Sequence, residues 1–340
     1  MEYKIKNLQS IDSLEIAREL SEMNVTEQFT FDADFNWARP FGMLYAATAI
    51  KQFRKTYSEF PFNIIAQNKD AISYASHMAF FKTISESIRI GKEPGEASGN
   101  SNYIPITKID LHQLHRNEIE SGNFIEMGDA IEKKASALSR ILSRENKEIH
   151  ALLTYLIREI LRNIPEHSNS NIAWICGQYW NDNSAEIAIL DEGIGIKESL
   201  RKNLVHKEYI KTDEDALQCA IRAGISQAFQ PSKKNKSDDT WSNSGFGLYM
   251  VSQICKELKG TFCLASGENY IWLQHDKEIR MGKTHFQGTA VKISISTREL
   301  KNSQSIINKI AQQGENQART IRNAFKKASI PSKGLINSIE

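Results

Sequence analysis

The chain has 340 residues, 40% hydrophobic and 25% charged, the profile of a soluble globular protein long enough for two ordinary domains. A formal charge of +2 gives no general reason to expect nucleic acid or a membrane surface as partner. No run approaches the roughly 18 apolar residues of a membrane helix, no apolar signal core follows Met1, and Cys176, Cys219, Cys255 and Cys263 lack CxxC spacing. These features predict a cytoplasmic location, no membrane partner, buried free thiols and no zinc site.

In chain order, Phe29–Phe35 alternates like a strand, Gly42–Tyr57 has helical spacing, Phe62–Ala66 is a short apolar strand and Tyr74–Ile84 an amphipathic helix. Strands alternating with helices predict a small α/β layer domain. Gly91–Asn102 (GKEPGEASGNSN), with three Gly and one Pro, reads as a loop. Tyr103–Ile109 resembles one more strand, so a first domain is expected over 1–109. A helical connector is expected over 110–144 and a second α/β domain over 145–298.

Within that second domain, Asn171–Trp180 and Ala185–Leu190 are strand-like and joined by the turn sequence NDNS. Helices are predicted near 197–205, 213–229 and 245–258, and strands near 260–266, 269–275 and 287–297. Residues 231–244 are polar and too long for an ordinary connection, which predicts a mobile lid. The tail, 299–340, is polar and weakly helical, with seven Lys/Arg against three acidic residues.

Three separated elements carry candidate chemistry. At the end of a long helix, Glu159 and Asn163 share one face by i, i+4 spacing. An amide oxygen there suits magnesium, and a carboxylate one turn away suits a general base. The bland reading is a solvated helix face ending near Pro165. Directly after an apolar strand comes Asp191-Glu-Gly193-Ile-Gly195-Ile196, where an Asp at a strand end accepts a hydrogen bond from an exocyclic amine. Its glycines let backbone approach a flat base, although DxGxG also occurs in plain turns. The third element, Asn243-Ser244-Gly245-Phe246-Gly247-Leu248, is a Gly-rich loop entering a helix, a natural phosphate cradle. Lys233, Lys234 and Lys236 precede it and either close over phosphate or form a solvated charge run.

Taken together and in this order, the elements resemble the gyrase, histidine-kinase and MutL superfamily (GHKL), whose ATP-binding module is the two-layer α/β sandwich called the Bergerat fold. EILRNIPEHS looks like its N box, DEGIGI its first glycine box, SGFGL its second, and FQGTAVKI its closing Gly-Thr strand. The resemblance covers roughly 145–298. It implies ATP and Mg2+ as cofactors, Asn163 as magnesium ligand, Asp191 as adenine anchor and Glu159 as catalytic base. It further implies that Gly193 and Gly195 shape the base pocket, that Gly245 and Gly247 cover the phosphates, that Thr289 sits near the adenine, and that Ile196, Ser244, Phe246 and Leu248 are also ATP-binding residues. His167 is either a phosphate contact or a capping histidine. His150 lies too close to Asn163, and lacks the following acidic residue, for a phospho-accepting histidine.

The first domain, over about 29–84, resembles the STAS fold of anti-sigma-factor antagonists, with Gly42 at the start of a helix. That family's phosphorylatable serine would precede Gly42, where this chain has Pro40 and Phe41, which argues against a phosphorylation switch. The resemblances together imply a regulatory Mg-dependent ATPase whose nucleotide gates a protein partner. Alternatives are a serine/threonine kinase like the anti-sigma-factor kinases, or a nucleotide-gated adaptor without turnover. The basic tail leaves nucleic acid as a weakly supported partner, and a homodimer is open.

Overall fold

In a computed structural model of the chain, the described residues are 1–5, 7–66, 69–97, 99–100, 102–229, 244–298 and 300–334. Residues 231–243 of the expected lid, with Lys233, Lys234, Lys236 and Asn243, lie outside the described residues.

The first unit consists of β1 (Glu2–Ile5), α1 (Ser10–Glu22), β2 (Phe29–Ala33), α2 (Pro40–Thr56), β3 (Phe62–Ile65), α3 (Lys69–His77) and α4 (Phe80–Ile84). Its sheet has the order β1-β2-β3 and both pairings are parallel. Parallel neighbours need a crossover, and α1 and α2 supply it. Pro40 opens α2, where a missing N–H costs nothing. Two residues on, a Cβ at Gly42 would stand 1.8 Å from the Leu8 carbonyl oxygen, so only glycine lets α2 lie against the loop after β1. The single helix predicted over 74–84 is broken into α3 and α4, because Ala79 adopts a left-handed φ of +68°.

The second unit contains β4 (Tyr103–Asp110), α5 (Leu111–Glu120), α6 (Met127–Leu142), α7 (Lys147–Asn163), a π-helical turn (Ile164–Ser168), β5 (Ile172–Tyr179) and β6 (Ser184–Asp191). It continues with α8 (Gly195–Arg201), α9 (Leu204–Lys207), α10 (Asp213–Ala220), α11 (Gly247–Glu257), β7 (Thr261–Gln274), β8 (Arg280–Ser296), α12 (Ser303–Thr320) and α13 (Ile330–Lys333). The five strands run antiparallel in the order β4-β5-β6-β8-β7.

Several boundaries differ from those read in sequence. Residues 103–109 were expected in the first domain, but β4 pairs with β5, from Tyr103 opposite Gln178 to Asp110 opposite Ile172. The residues expected as a connector belong to the same body, since Ile131, Ala135, Leu138 and Leu142 of α6 are buried in one core with α7. The runs near 260–266 and 269–275 form one strand, bent where the register shifts around Gly267. The predicted helix 213–229 stops at Ala220. Beyond it Gly224 (φ +79°) packs so close to Phe325 that a Cβ would lie 2.2 Å from its carbonyl oxygen.

Both faces of the five-stranded sheet are covered, which explains why its strands read as continuous apolar runs. Along β6, Ile187 and Ile189 point into a core shared with α7 and α11. Their alternates Ala188 and Leu190 point into a second core formed with Phe41, Leu44 and Tyr45 of α2. A buried polar cluster crosses this second interface. Lys292 Nζ lies 3.2 Å from Glu186 Oε2 and 2.7 Å from Ser10 Oγ, and Glu186 Oε1 accepts from the Phe41 N–H at 3.2 Å. The four cysteines are free and buried, and no described helix is long and apolar enough to cross a membrane.

The tail is no solvated appendage. Ile307, Ile310, Ala311 and Ala318 of α12 are buried in the core beside α11. Further on, Phe325 N donates to Gly224 O (2.8 Å) and Tyr155 Oη donates to Ser332 O (3.0 Å).

Candidate functional site

Asn146 begins α7 by accepting the Glu148 and Ile149 N–H groups, both at 3.0 Å, on its side-chain oxygen. A buried stripe of Leu152, Leu153, Leu156, Ile157, Ile160 and Leu161 fixes the helix on the sheet. Pro165 cannot continue the α-helical ladder. The chain instead makes the π-helical turn and leaves it through Asn169 at φ +57°. Such turns concentrate at functional sites. This one swings Ser168 back, so that its carbonyl accepts from Ile194 N at 2.8 Å.

The turn thereby joins the N box to the first glycine box. Gly193 permits the approach, since a Cβ there would sit 2.1 Å from Ser168 O. Asp191, 4% exposed at the end of β6, accepts the Gly193 N–H on Oδ1 at 2.8 Å. Burial pushes its carboxyl up to about 7, against the stabilising hydrogen bonds from the Gly193 N–H and the Ser168 hydroxyl. Thr289 stands directly opposite Asp191 across the β6–β8 pairing. Gly195, at φ +75°, starts α8 close against Ser266, whose hydroxyl accepts from Ile196 N at 3.0 Å.

Opposite these groups stands the second glycine box. Gly245 adopts φ +70°, and a Cβ there would meet Ile225 O at 2.4 Å. Gly247 is the first residue of α11, so the loop runs into a helix N-terminus, whose first N–H groups have no acceptor within the helix.

Asn163, His167, Asp191, Gly195, Ile196, Gly245, Gly247, Leu248 and Thr289 line one cavity. Four other expected residues do not line it. Gly193 lies beneath, holding the turn. Ser244 accepts the Ser329 N–H on its hydroxyl at 3.0 Å. Phe246 is fully buried beside Tyr249, with its side chain in the core. Glu159 is 5% exposed, and its Oε1 accepts from Arg158 Nη2 at 2.9 Å and Nε at 3.1 Å. Its Oε2 stands 3.0 Å from where a Cβ on Gly247 would be, so it reaches the rim of the second glycine box from behind. The Ser332 hydroxyl is 3.4 Å from that same oxygen.

Two further sequence expectations gain detail. Burial pulls His167 down to about 4, so it is a neutral imidazole at pH 7 rather than a cation. His150 faces α6, with Nε2 at 3.0 Å from Ser136 O. The Asn163 Nδ2 donates to Glu159 O at 2.9 Å, which turns the carboxamide oxygen away from the helix backbone. Among the described residues no group of three or more His, Cys, Asp and Glu is placed to hold a metal ion. Among the described residues Asn163 would offer a hard divalent cation one protein oxygen ligand here, the rest being ligand oxygens and water.

The apolar walls went unread in sequence. Ile160 and Ile164 line the cavity beside Asn163, and helical spacing could have placed them there. Leu200, Ile225 and Val291 complete surfaces suited to a planar ring, while Ser199 bonds Gln227 Oε1 at 2.9 Å along the edge. Ser226 and Gln227 fall in the segment taken for helix, so no local signal marked them.

No curated protein and no solved structure matches the chain. Residues 149–302 match the family model of the histidine kinase-, DNA gyrase B-, and HSP90-like ATPases. That match, on the segment holding the glycine-lined cavity, supports an ATP-binding domain of the GHKL type in this part of the chain.

Proposed function

We propose that the protein is a regulatory ATP-binding protein in which Mg-ATP, turned over slowly, gates a protein partner. The observation that carries this reading is the convergence of Asn163, Asp191, Gly195, Gly245, Gly247 and Thr289, from four separated motifs, on one cavity. The adenine amine donates to Asp191, and the apolar walls from Ile160 to Val291 hold the ring. The phosphates lie at the α11 N-terminus. Bound magnesium supplies neutralisation of phosphate charge beside the Asn163 oxygen.

Glu159 decides turnover. Its Arg158 partner and its burial support slow hydrolysis, because the carboxylate must leave an ion pair to orient water. The same pairing favours a second reading, an adaptor that binds nucleotide with negligible turnover. The first unit serves as docking or sensory module, and its STAS-like helix start is consistent with that. The α2 N-terminus, where that family would carry a phosphoserine, receives the Glu186 carboxylate instead.

The test is magnesium-dependent turnover of labelled ATP by the wild type beside Asn163→Ala and Glu159→Gln. The reading expects slow phosphate release, lost in both variants, with ATP binding retained in Glu159→Gln. Turnover unchanged in Glu159→Gln removes the base assignment, and no product over hours supports the adaptor. Label on protein supports a kinase.

A further inference from the structure

Two consecutive residues of α2, in the first unit, grip the backbone that presents Asp191 and Thr289 to the cavity. The Lys51 ammonium is ion-paired with Oε1 of Glu192, the residue following Asp191. It also lies 4.7 Å from the centre of the Trp174 ring, which fixes its direction. The Gln52 amide makes two bonds to one residue of β8. Its Nε2 donates to Gln287 O at 2.8 Å, and its Oε1 accepts from Gln287 N at 3.1 Å.

Gln287 leads directly into Gly288, at φ +112°, which lies so close to the first glycine box that a Cβ would stand 2.1 Å from Asp191 O. Gly288 O in turn accepts from Ser266 Oγ at 2.7 Å, the same oxygen that receives the Ile196 N–H. Both arms therefore end on the base side of the cavity. Helix α2 runs along β6, held at its start by Glu186 and near its end by Glu192.

Lys51 and Glu192 are 30% and 29% exposed, so core packing does not force their placement. One half-buried ion pair is a small part of the stability of a chain of this size. It does fix the end of β6 at the cavity, where errors of about half an ångström matter. We propose that Lys51 and Gln52 are positioning residues for the adenine end of the site, through which the first unit sets ATP affinity. This rests on reading the cavity as an ATP site. A displacement of α2 along β6, as when a partner docks on the first unit, carries Glu192 and Gln287 with it and loosens Asp191 and Thr289.

The experiment is equilibrium titration of ATP into the full chain carrying Lys51→Met, Gln52→Ala, both together, and Lys51→Arg. The thermal midpoint of each nucleotide-free variant is read alongside. Each single variant is expected to weaken ATP about three- to tenfold, and the double variant further, with midpoints within about 2 °C of wild type. Lys51→Arg, which keeps the charge, is expected to bind as wild type does. Equal ATP affinity in all variants overturns the inference, and so does a loss of affinity that parallels a loss of thermal stability. A wild type that does not bind ATP sinks the site reading as well. One that binds while its variants match it sinks this inference alone.

Discussion

Arg158 and Glu159, neighbours on α7, are both buried, with Nη2 of the first 2.9 Å from Oε1 of the second. The same guanidinium reaches Glu132 Oε2 at 3.1 Å and thus bridges two carboxylates. Replacing it by an apolar group of similar length removes the guanidinium paired with Glu159 and one of the two arginines that act on Glu132. Arg158→Met is expected to cost about 3–5 kcal/mol in denaturant unfolding. A cost below about 1 kcal/mol would show that the carboxylates do not depend on it.

If Asp191 anchors the adenine as proposed, ATP binding is expected to depend on pH. On the proposed reading its carboxylate is a stronger acceptor for the adenine amine than the neutral acid, and burial raises the group to about 7. Affinity is expected to be flat above about pH 7 and to fall below it, by at most about tenfold per pH unit. Folding has the opposite sign. A raised carboxyl favours the folded state at low pH, and that contribution fades as pH rises from the usual carboxylate range through about 7. Titrations of ATP between pH 5.5 and 8.5, on the order of half a unit apart, check the first trend, and Asp191→Asn should flatten it.

The two glycines of the second box should respond differently to a methyl group. Gly245→Ala forces a left-handed residue against Ile225 O, which is expected to cost about 1–3 kcal/mol and to reduce ATP binding. Gly247 lies in helical backbone, where a Cβ meets the Glu159 Oε2 side-chain oxygen at 3.0 Å rather than backbone, so Gly247→Ala should cost less than Gly245→Ala, about 1 kcal/mol. Paired unfolding curves measure both.

Ile310, 2% exposed on α12, makes the tail part of the core. Ile310→Ala is expected to destabilise the protein by about 2–5 kcal/mol, as for other buried large-to-small changes. A shift within about 0.5 kcal/mol would mark a tail that rests on the surface.

What could be read from sequence follows from how local each signal is. Asp191, Gly195 and Gly245 mark themselves, because a strand end or a positive φ demands those residue types, and Gly247 marks itself as the small residue opening a helix after a glycine loop. The fold class of the ATP-binding half came with them. Long-range relations were invisible. Nothing near Tyr103 says that β4 pairs with residues 172–178, and nothing in the polar tail says that Ile307 and Ile310 will meet α11. The apolar strands β5 and β6 did carry a hint, since Trp174, Cys176, Ala188 and Leu190 fill the alternate positions that an open sheet face would leave polar. That pattern implied a cover on the second face, and α2 provides it. Glu159 was legible as a carboxylate one turn from Asn163, but its capture by Arg158 depends on where α6 brings Glu132.

Nucleotide binding at Asp191 is the claim on which the rest depends, and its most direct test is an equilibrium titration of ATP with magnesium at pH 8. The account predicts saturable binding to the wild type, competed by ADP and weakened at least about tenfold by Asp191→Asn, a loss on the scale of one buried hydrogen bond to a charged group. Wild-type protein that binds no ATP, or an Asp191→Asn protein that binds it equally well, would contradict it.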